Sequence, residues 1–205
     1  MEKMILNLDI RHYWHPGAGE GMGAYADAAA WRASDGLPAI PGRQLKGLLR
    51  DAVAQAGDYG WCEPDMAARL FGRRTEEDKA DQPATGPATG CLRVSDARLP
   101  EAERAWLAGP EGQGLRPHLF RTLYSTAIDG KTGTARDHSL RGIEVVVPMQ
   151  LQAVIQTLPE QGAVPQDWQA LIEQVLPLIT AVGGWRSRGL GRVVLSLDAD
   201  REAAA

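Results

Sequence analysis

Three basic side chains, Arg43, Lys46 and Arg50, are spaced three and four residues apart in the segment 36–50, GLPAIPGRQLKGLLR. On a helix this spacing places all three on one face, where they suit a polyanion such as a phosphate chain. Apolar residues on another face are expected in the core: Leu45, Leu48, Leu49, Ala52 and Val53. Gly47 costs a helix roughly 1 kcal/mol relative to Ala, which indicates that something approaches the backbone there. The alternative is a solvated basic face with Gly47 as a packing residue.

The start of the same segment predicts an anion site. Pro38 and Pro41 fix φ, and Gly42 frees the backbone just before the helix. The N–H groups of the first helical turn lack partners within the helix. Such groups suit a phosphate.

Two further basic segments carry similar signals. In GGWRSRGLGR, residues 183–192, glycines let backbone N–H groups approach phosphates, and Arg186, Ser187 and Arg188 add polar and charged donors. In IDGKTGTARDHSLRGIE, residues 128–144, the pattern favours a hairpin arm that follows a nucleic-acid backbone. Its candidate contacts are Lys131, Thr132, Thr134 and Arg136. Glycine-rich and polar turns of this kind also occur for purely structural reasons.

Composition narrows the class of protein. With 205 residues, 44% hydrophobic and 23% charged, the chain is typical of a soluble globular domain, and no apolar stretch approaches the roughly 20 residues that span a bilayer. No secretory signal is visible, and Cys62 and Cys91 form neither a disulfide framework nor a zinc motif, so a cytoplasmic location is expected. The net charge of -4 argues against a general nucleic-acid binder. Three separated basic segments can still converge into one groove on folding.

The order of predicted elements is strand, helix, strands, helix, strand, which is the βαββαβ plan of the ferredoxin-like (RRM-like) α+β fold. We expect a single domain over residues 1–205, with a mobile insertion at 72–90 and a flexible tail at 199–205. Pro177 is expected to kink or divide the second long helix. The predicted strands are 4–11, 91–99, 119–128, 143–158 and one from 193, and the predicted helices are 43–57, 65–71, 101–108 and 165–182.

Four motifs in this order resemble the RAMP superfamily of CRISPR-associated proteins over residues 4–197. They are P-x-I-P-G-x-x-L-K-G-x-x-R, LFG followed by LRVSDA, TGTA followed by IEVVVP, and GG-x-x-S-R-G-L-G-R. The chain looks most like the repeated backbone subunit of type III effector complexes, which act in antiviral defence. The resemblance implies a core that polymerises with copies of itself and other RAMP subunits along a guide RNA, with a hairpin thumb and a complementary target RNA as a further partner.

The resemblance also assigns roles to residues. Arg43, Lys46 and Arg50 would contact guide RNA, the loop around Arg186 and Arg188 would flank the same groove, and the TGTA residues 132–135 would belong to the thumb.

In target-cleaving members an aspartate lies in the loop after the first strand, and Asp27 occupies a corresponding place. It would support RNA scission with Mg²⁺ or another divalent cation, by orienting the attacking 2′-hydroxyl or holding the ion. Asp27 can equally be a loop residue or a helix cap. The glycine-rich stretch before it and the insertion at 72–90 both depart from the family pattern.

Two alternatives stay open at the level of sequence. The chain can be a non-catalytic structural clamp on guide RNA. It can also be a metal-independent endoribonuclease that matures guide RNA with His12 or His15 as a general base. The H-x-x-H spacing of these two residues has no evident third metal ligand, and a stacking or structural role beside Tyr13 and Trp14 is favoured.

Overall fold

A computed structural model describes residues 2–17, 28–73 and 89–199. In chain order its elements are β1 Lys3–Ile10, α1 Gly42–Asp58, α2 Met66–Phe71, β2 Leu92–Val94, α3 Glu101–Ala108, β3 Phe120–Ser125, β4 Arg141–Val146, β5 Met149–Thr157, α4 Trp168–Val175 and β6 Val193–Ala199. Among the helices in these ranges, none has both the length and the hydrophobicity that a membrane span requires.

Four strands form an antiparallel sheet in the order β2-β5-β1-β6. With α1 after β1 and α4 after β5, the sheet has the connectivity and strand order of the ferredoxin-like βαββαβ core. Strands β3 and β4 form a separate two-stranded sheet, inserted between the second and third strands of that core. The predicted ferredoxin-like fold with a hairpin is therefore confirmed.

Alternation along β1 explains how the sheet covers the core. Leu6, Leu8 and Ile10 are buried, as predicted, and α1 and α4 pack on the same face of the sheet. The other face is polar: Asn7 donates to Asp198, and Gln152 donates to Asn7. Strands β1, β2, β5 and β6 contain no aromatic residue, so this sheet lacks the stacking platform with which an RRM sheet binds bases.

Three predicted strands are shorter or divided in the structure. The predicted strand 143–158 was wrong as one unit, because the chain leaves β4 at Val146, passes Pro148, which has no N–H to donate, and enters a different sheet at Met149. The predicted strand 91–99 keeps a regular ladder only over Leu92–Val94. Strand β3 ends at Ser125.

The second long helix is also shorter than predicted. The α-helical part is Trp168–Val175, and a single 3-10 turn, Leu176–Leu178, follows. Pro177 lies in that turn, so the prediction that it divides the helix is confirmed. Of the predicted insertion and tail, residues 74–88 and 200–205 lie outside the described ranges.

The N-terminus of α1 is pressed against the end of β2. A Cβ atom on Gly42 would lie 2.4 Å from the backbone oxygen of Val94 and 2.7 Å from the carbonyl carbon of Ser95. No side chain fits there, so glycine is required for close packing rather than for an unusual backbone angle. This contact fixes where α1 begins on the sheet.

We therefore expect Gly42→Ala to lower the free energy of unfolding by about 1–3 kcal/mol, as overpacking does. Gly47→Ala is the matched control in the same helix, because a Cβ there meets nothing within 4 Å. It should raise that free energy by about 0.5–1 kcal/mol. Urea unfolding followed by circular dichroism measures both, and a Gly42→Ala variant as stable as the wild type would contradict the close contact.

Candidate nucleic-acid interface

The basic face of α1 lies at the surface. Arg43 is exposed, and Lys46 and Arg50 are half-buried, while Leu45 and Leu49 on the opposite side are buried. The predicted amphipathic helix is thus present, with its basic stripe, defined as Arg43, Lys46 and Arg50, turned away from the core.

The carboxylate of Asp96 occupies the anion site at the first turn of α1. The N–H of Gly42 donates to the Asp96 carboxylate at 2.9 Å, and the carbonyl of Pro41 accepts from the N–H groups of Gln44 and Leu45. The prediction that these donors bind a ligand's phosphate was therefore wrong for Gly42. Asp96 belongs to the motif LRVSDA, and capping of α1 explains why an acid occurs there.

At Gly47, beside the basic stripe, the surface of α1 carries no side chain; this position is called the glycine patch. The residue is exposed, and a Cβ atom built on it would have no neighbour within 4 Å. Gly47 therefore packs against none of the described residues. Within the described ranges no contact requires glycine here, and the helix backbone at this position is open to solvent.

The glycine-arginine loop, residues 183–192, presents its three predicted contact residues to solvent. Arg186, Ser187 and Arg188 form one exposed 3-10 turn. The guanidinium carbon of Arg188 lies 4.7 Å from the centroid of the Trp185 ring. This cation–π contact restrains an arginine that would otherwise move freely.

Three of the four glycines of this loop, Gly183, Gly184 and Gly191, lie against neighbouring residues, whereas Gly189 faces open space. A Cβ on Gly183 would lie 2.6 Å from the carbonyl oxygen of His15, and one on Gly191 would lie inside the carbonyl of Val182. The N–H of Gly184 donates to His15 and that of Gly191 donates to Tyr13. The expectation that backbone N–H groups of this loop face phosphates was therefore wrong for Gly184 and Gly191. The side chains of Arg186, Ser187 and Arg188 are exposed donors of the loop.

A cleft of about 260 Å³ separates α1 from the glycine-arginine loop. Leu48, Asp51 and Gln55 of α1 line one side, and Arg186 lines the other. At 100° per residue, Gly47 lies between the basic stripe and Asp51 on the helix surface. Around α1, the basic stripe is therefore followed by the glycine patch and then by the cleft. Arg186 lies on the far side of that cleft.

The hairpin predicted to be a thumb projects as an arm, defined as residues 120–146. Beyond the pair Ser125–Arg141, the two sides approach again at Ile128 and Ala135. The tip, residues 129–134, lies up to roughly 20 Å past Ser125, given about 3.3 Å per extended residue. Lys131, Thr132, Thr134 and Arg136 are all exposed at or beside this tip, away from the base of the arm.

Asp129 organises the tip. Its carboxylate accepts hydrogen bonds from the N–H groups of Lys131 and Thr132, at 2.8 and 3.1 Å. These two backbone donors lower the pKa of Asp129 from its ordinary value. Gly133, at a φ of +69°, completes the turn, and its N–H donates to the carbonyl of Asp129.

Glu144 holds the base of the arm, which sequence reasoning missed. Its carboxylate accepts from the Ala30 N–H at 3.0 Å and from Arg32 at 2.7 Å, while its own N–H donates to the carbonyl of Ala28. Its carbonyl lies 2.7 Å from Nδ1 of His15. Glu144 thus ties β4 to the chain on both sides of residues 18–27. The only available signal was an acid inside a predicted strand, IEVVVP.

The structure describes both histidines but not Asp27. His15 is buried, with Nδ1 close to the carbonyl oxygen of Glu144, an arrangement that fits the favoured structural role, and His12 is exposed. Asp27 lies outside the described residues, which resume at Ala28 beside Ile143 of β4. Within the described ranges, no three His, Cys, Asp or Glu side chains form a group that would hold a metal ion.

A family model described as the RAMP superfamily matches residues 8–194. Because this match covers most of the chain, the protein belongs to the RAMP superfamily, as its motifs predict.

Solved structures give the same fold. One similar chain comes from the cryo-EM structure of the type III-B Cmr-beta bound to cognate target RNA, with 11% identity, a TM-score of 0.71, and 96% of this chain and 97% of that chain covered. Another comes from the apo state of type III-B Cmr-beta, with 12% identity, a TM-score of 0.70, and 97% and 98% covered. No curated protein sequence matches this chain significantly.

The order of the arm's tip should depend on the charge of Asp129. Since hydrogen bonds to the ionised form lower its pKa, they stabilise the tip fully above the ordinary value of 3.8 and lose this effect as pH falls through the lowered value. At neutral pH we expect Asp129→Ala to speed amide exchange at Lys131 and Thr132 by roughly fivefold. Asp137→Ala, another exposed acid of the arm, is the control. Equal exchange in Asp129→Ala and wild type would contradict this role.

Proposed function

We propose that this chain is a guide-RNA-binding backbone subunit of a type III CRISPR effector complex, with target-RNA cleavage that depends on Asp27. One observation supports RNA binding most strongly: the basic stripe on α1, exposed at Arg43 and half-buried at Lys46 and Arg50, continues over Gly47 to a cleft that Arg186 lines on the far side. Membership of the RAMP superfamily and the similarity to chains of Cmr-beta complexes support the same assignment.

The guide would lie along α1 with its phosphates against Arg43 and Lys46. Gly47 lets the sugar–phosphate backbone approach the helix without meeting a side chain, and Arg186 adds a charge-assisted contact across the cleft. The arm would reach along the strand, so that Lys131, Thr132, Thr134 and Arg136 contact RNA several nucleotides away. Ser187 and Arg188 extend the basic edge next to Arg186.

The Gly47→Ala variant distinguishes an effect on RNA binding from an effect on folding. Gly47→Ala should weaken binding of a single-stranded RNA while it stabilises the fold, because its Cβ points only into the proposed groove. We expect roughly a fivefold or greater loss of affinity, the cost of losing about 1 kcal/mol of close contact. Fluorescence anisotropy at fixed salt measures it. If Gly47→Ala binds RNA as well as the wild type, the close approach to α1 is wrong.

Alanine substitution of Arg43, Lys46 or Arg186, one at a time, tests the phosphate contacts through the salt dependence of RNA binding. Each should reduce the slope of log K against log[salt] by roughly 0.7, because one phosphate contact is lost. Arg93→Ala is the matched control, since Arg93 is exposed on β2. An equal effect of Arg93→Ala would indicate non-specific charge attraction.

The chemistry rests on the family resemblance. Among the described residues, no group of three His, Cys, Asp or Glu side chains could hold a metal ion. Magnesium often completes its shell with water and substrate phosphates, so Asp27 with a bound RNA phosphate would be enough to position the ion.

We expect Asp27→Asn, in a complex reconstituted with guide RNA, to slow cleavage of complementary RNA at least a hundredfold with guide binding unchanged. Glu20→Gln, an acid in the same segment, is the matched control and should cleave normally. Reactions with Mg²⁺ and with EDTA test the cation. Cleavage by Asp27→Asn at the wild-type rate contradicts its catalytic role, and absence of cleavage by the wild type favours the structural clamp.

A further inference from the structure

Trp185, the third residue of the glycine-arginine loop, has a backbone conformation that glycine usually adopts. Its φ of +61° and ψ of +25° lie in the left-handed region, where a Cβ atom crowds the following carbonyl oxygen. The other three positions of this loop at positive φ are all glycine, with φ of +81°, +83° and +74° at Gly183, Gly189 and Gly191. A bulky side chain in this region is strained, and residues held in such strain cluster at binding sites.

Packing against the core does not account for a tryptophan at this position. Trp14 and Trp168 are buried, and their indole N–H groups donate to oxygens of Val147 and Glu2. Trp185 is only half-buried, and in the described part of the chain it belongs neither to the hydrophobic core nor to the side chains that pack against that core. Its indole N–H has no acceptor among the described residues.

The Trp185 ring instead holds an arginine in place. The guanidinium carbon of Arg188 lies 4.7 Å from the ring centroid, and the Arg188 N–H donates to the Trp185 carbonyl at 2.8 Å. One side of the guanidinium group therefore faces the ring, while Arg188 as a whole is exposed. Aromatic rings and guanidinium planes are the two kinds of surface on which unpaired bases stack.

This pair lies at the edge of the proposed guide groove. Arg186, the residue after Trp185, lines the cleft whose opposite side is formed by α1. The bases of a single strand project from a backbone that follows the basic stripe, so a base can reach the loop while its phosphates stay on α1. Contact with phosphate requires only charge, which Arg186 and Arg188 supply without a ring.

We infer that Trp185 and Arg188 form a stacking site for one nucleobase of the bound RNA. Trp185 restrains the guanidinium group of Arg188, the base stacks on this pair, and Arg186 binds a neighbouring phosphate. Trp185 is then a specificity-determining residue, because a polyanion without bases gains nothing from the stack. This inference rests on the proposed function and adds a base contact to a groove that otherwise binds the RNA backbone.

Fluorescence anisotropy of the full chain with a labelled, single-stranded oligoadenylate tests the stack. Trp185→Gly and Trp185→Ala should each weaken binding roughly tenfold, the usual effect of losing one base stack. Trp185→Tyr should bind within about twofold of the wild type, because it restores an aromatic ring. Trp106→Ala is the matched control, since Trp106 is 46% exposed but lies on α3. Equal binding by Trp185→Gly and wild type, or an equal loss in Trp106→Ala, would overturn the inference.

Urea unfolding distinguishes a ring kept for binding from a ring kept for folding. Trp185→Gly removes the ring and also relieves the left-handed backbone, so it should unfold at a urea concentration no lower than that of the wild type. Trp185→Ala removes the ring but keeps the strain, so it should unfold at lower urea than Trp185→Gly. If Trp185→Gly unfolds at clearly lower urea than the wild type, the ring is structural and the inference is wrong.

Salt and a second anion distinguish stacking from charge. Loss of Trp185 removes no charge, so the slope of log K against log[salt] should stay at the wild-type value. Arg188→Lys keeps the charge but lacks the planar group, and should weaken oligoadenylate binding severalfold at an unchanged slope. Inorganic polyphosphate should bind equally to the wild type and Trp185→Gly. Equal losses of polyphosphate and oligoadenylate binding in Trp185→Gly would mean that the ring only positions charge, which contradicts the inference.

The same titrations separate the two proposals. If the wild type binds oligoadenylate through Arg43 and Lys46 and the Trp185 variants bind it equally well, the stacking inference fails alone. If the wild type does not bind the RNA, the proposed function fails, and the stacking inference fails with it.

Discussion

The contact between the start of α1 and the end of β2 determines which way the basic stripe of α1 faces. Gly42 permits backbone packing that a Cβ would block, and Asp96 caps the same turn. Ile40 adds two hydrogen bonds to Ala97 on the neighbouring segment. Because the helix is held at its first residue, its buried leucines and its basic stripe have fixed directions. The most distinctive motifs of the chain, P-x-I-P-G and LRVSDA, are the two sides of this contact.

A second set of contacts arranges the remaining parts around the extended segment at residues 13–17. Glycines of the loop 183–192 pack on Tyr13 and His15, while Val146 of β4 pairs with Trp14. Glu144 then joins β4 to residues 28–32. The arm, the glycine-arginine loop and both ends of the segment that contains Asp27 therefore meet at one buried node. This node holds the base of the arm beside the glycine-arginine loop, while the basic residues proposed to bind RNA lie at the tip of the arm.

Elements with a regular hydrophobic repeat could be predicted from the sequence. Residues whose hydrogen-bond partners are distant in the sequence were given the wrong roles. Leu6, Leu8 and Ile10 alternate because one face of β1 is buried, so that strand was readable. Asp96 caps a helix that begins 54 residues earlier, and no local pattern reveals such a pairing. The same limit applies to glycines. Gly47 faces open space and Gly183 faces the backbone of His15, yet both appear in the sequence as glycine in a basic segment.

The central claim is that α1 and the tip of the arm bind guide RNA while the sheet does not. Lysine acetylation, followed by mass spectrometry with and without bound guide, tests it in one experiment on the unmodified sequence. Lys46 on α1 and Lys131 at the tip should be protected by roughly tenfold, and Lys3 on the sheet should react equally in both samples. Protection of Lys3 with unchanged reactivity at Lys46 would contradict the claim.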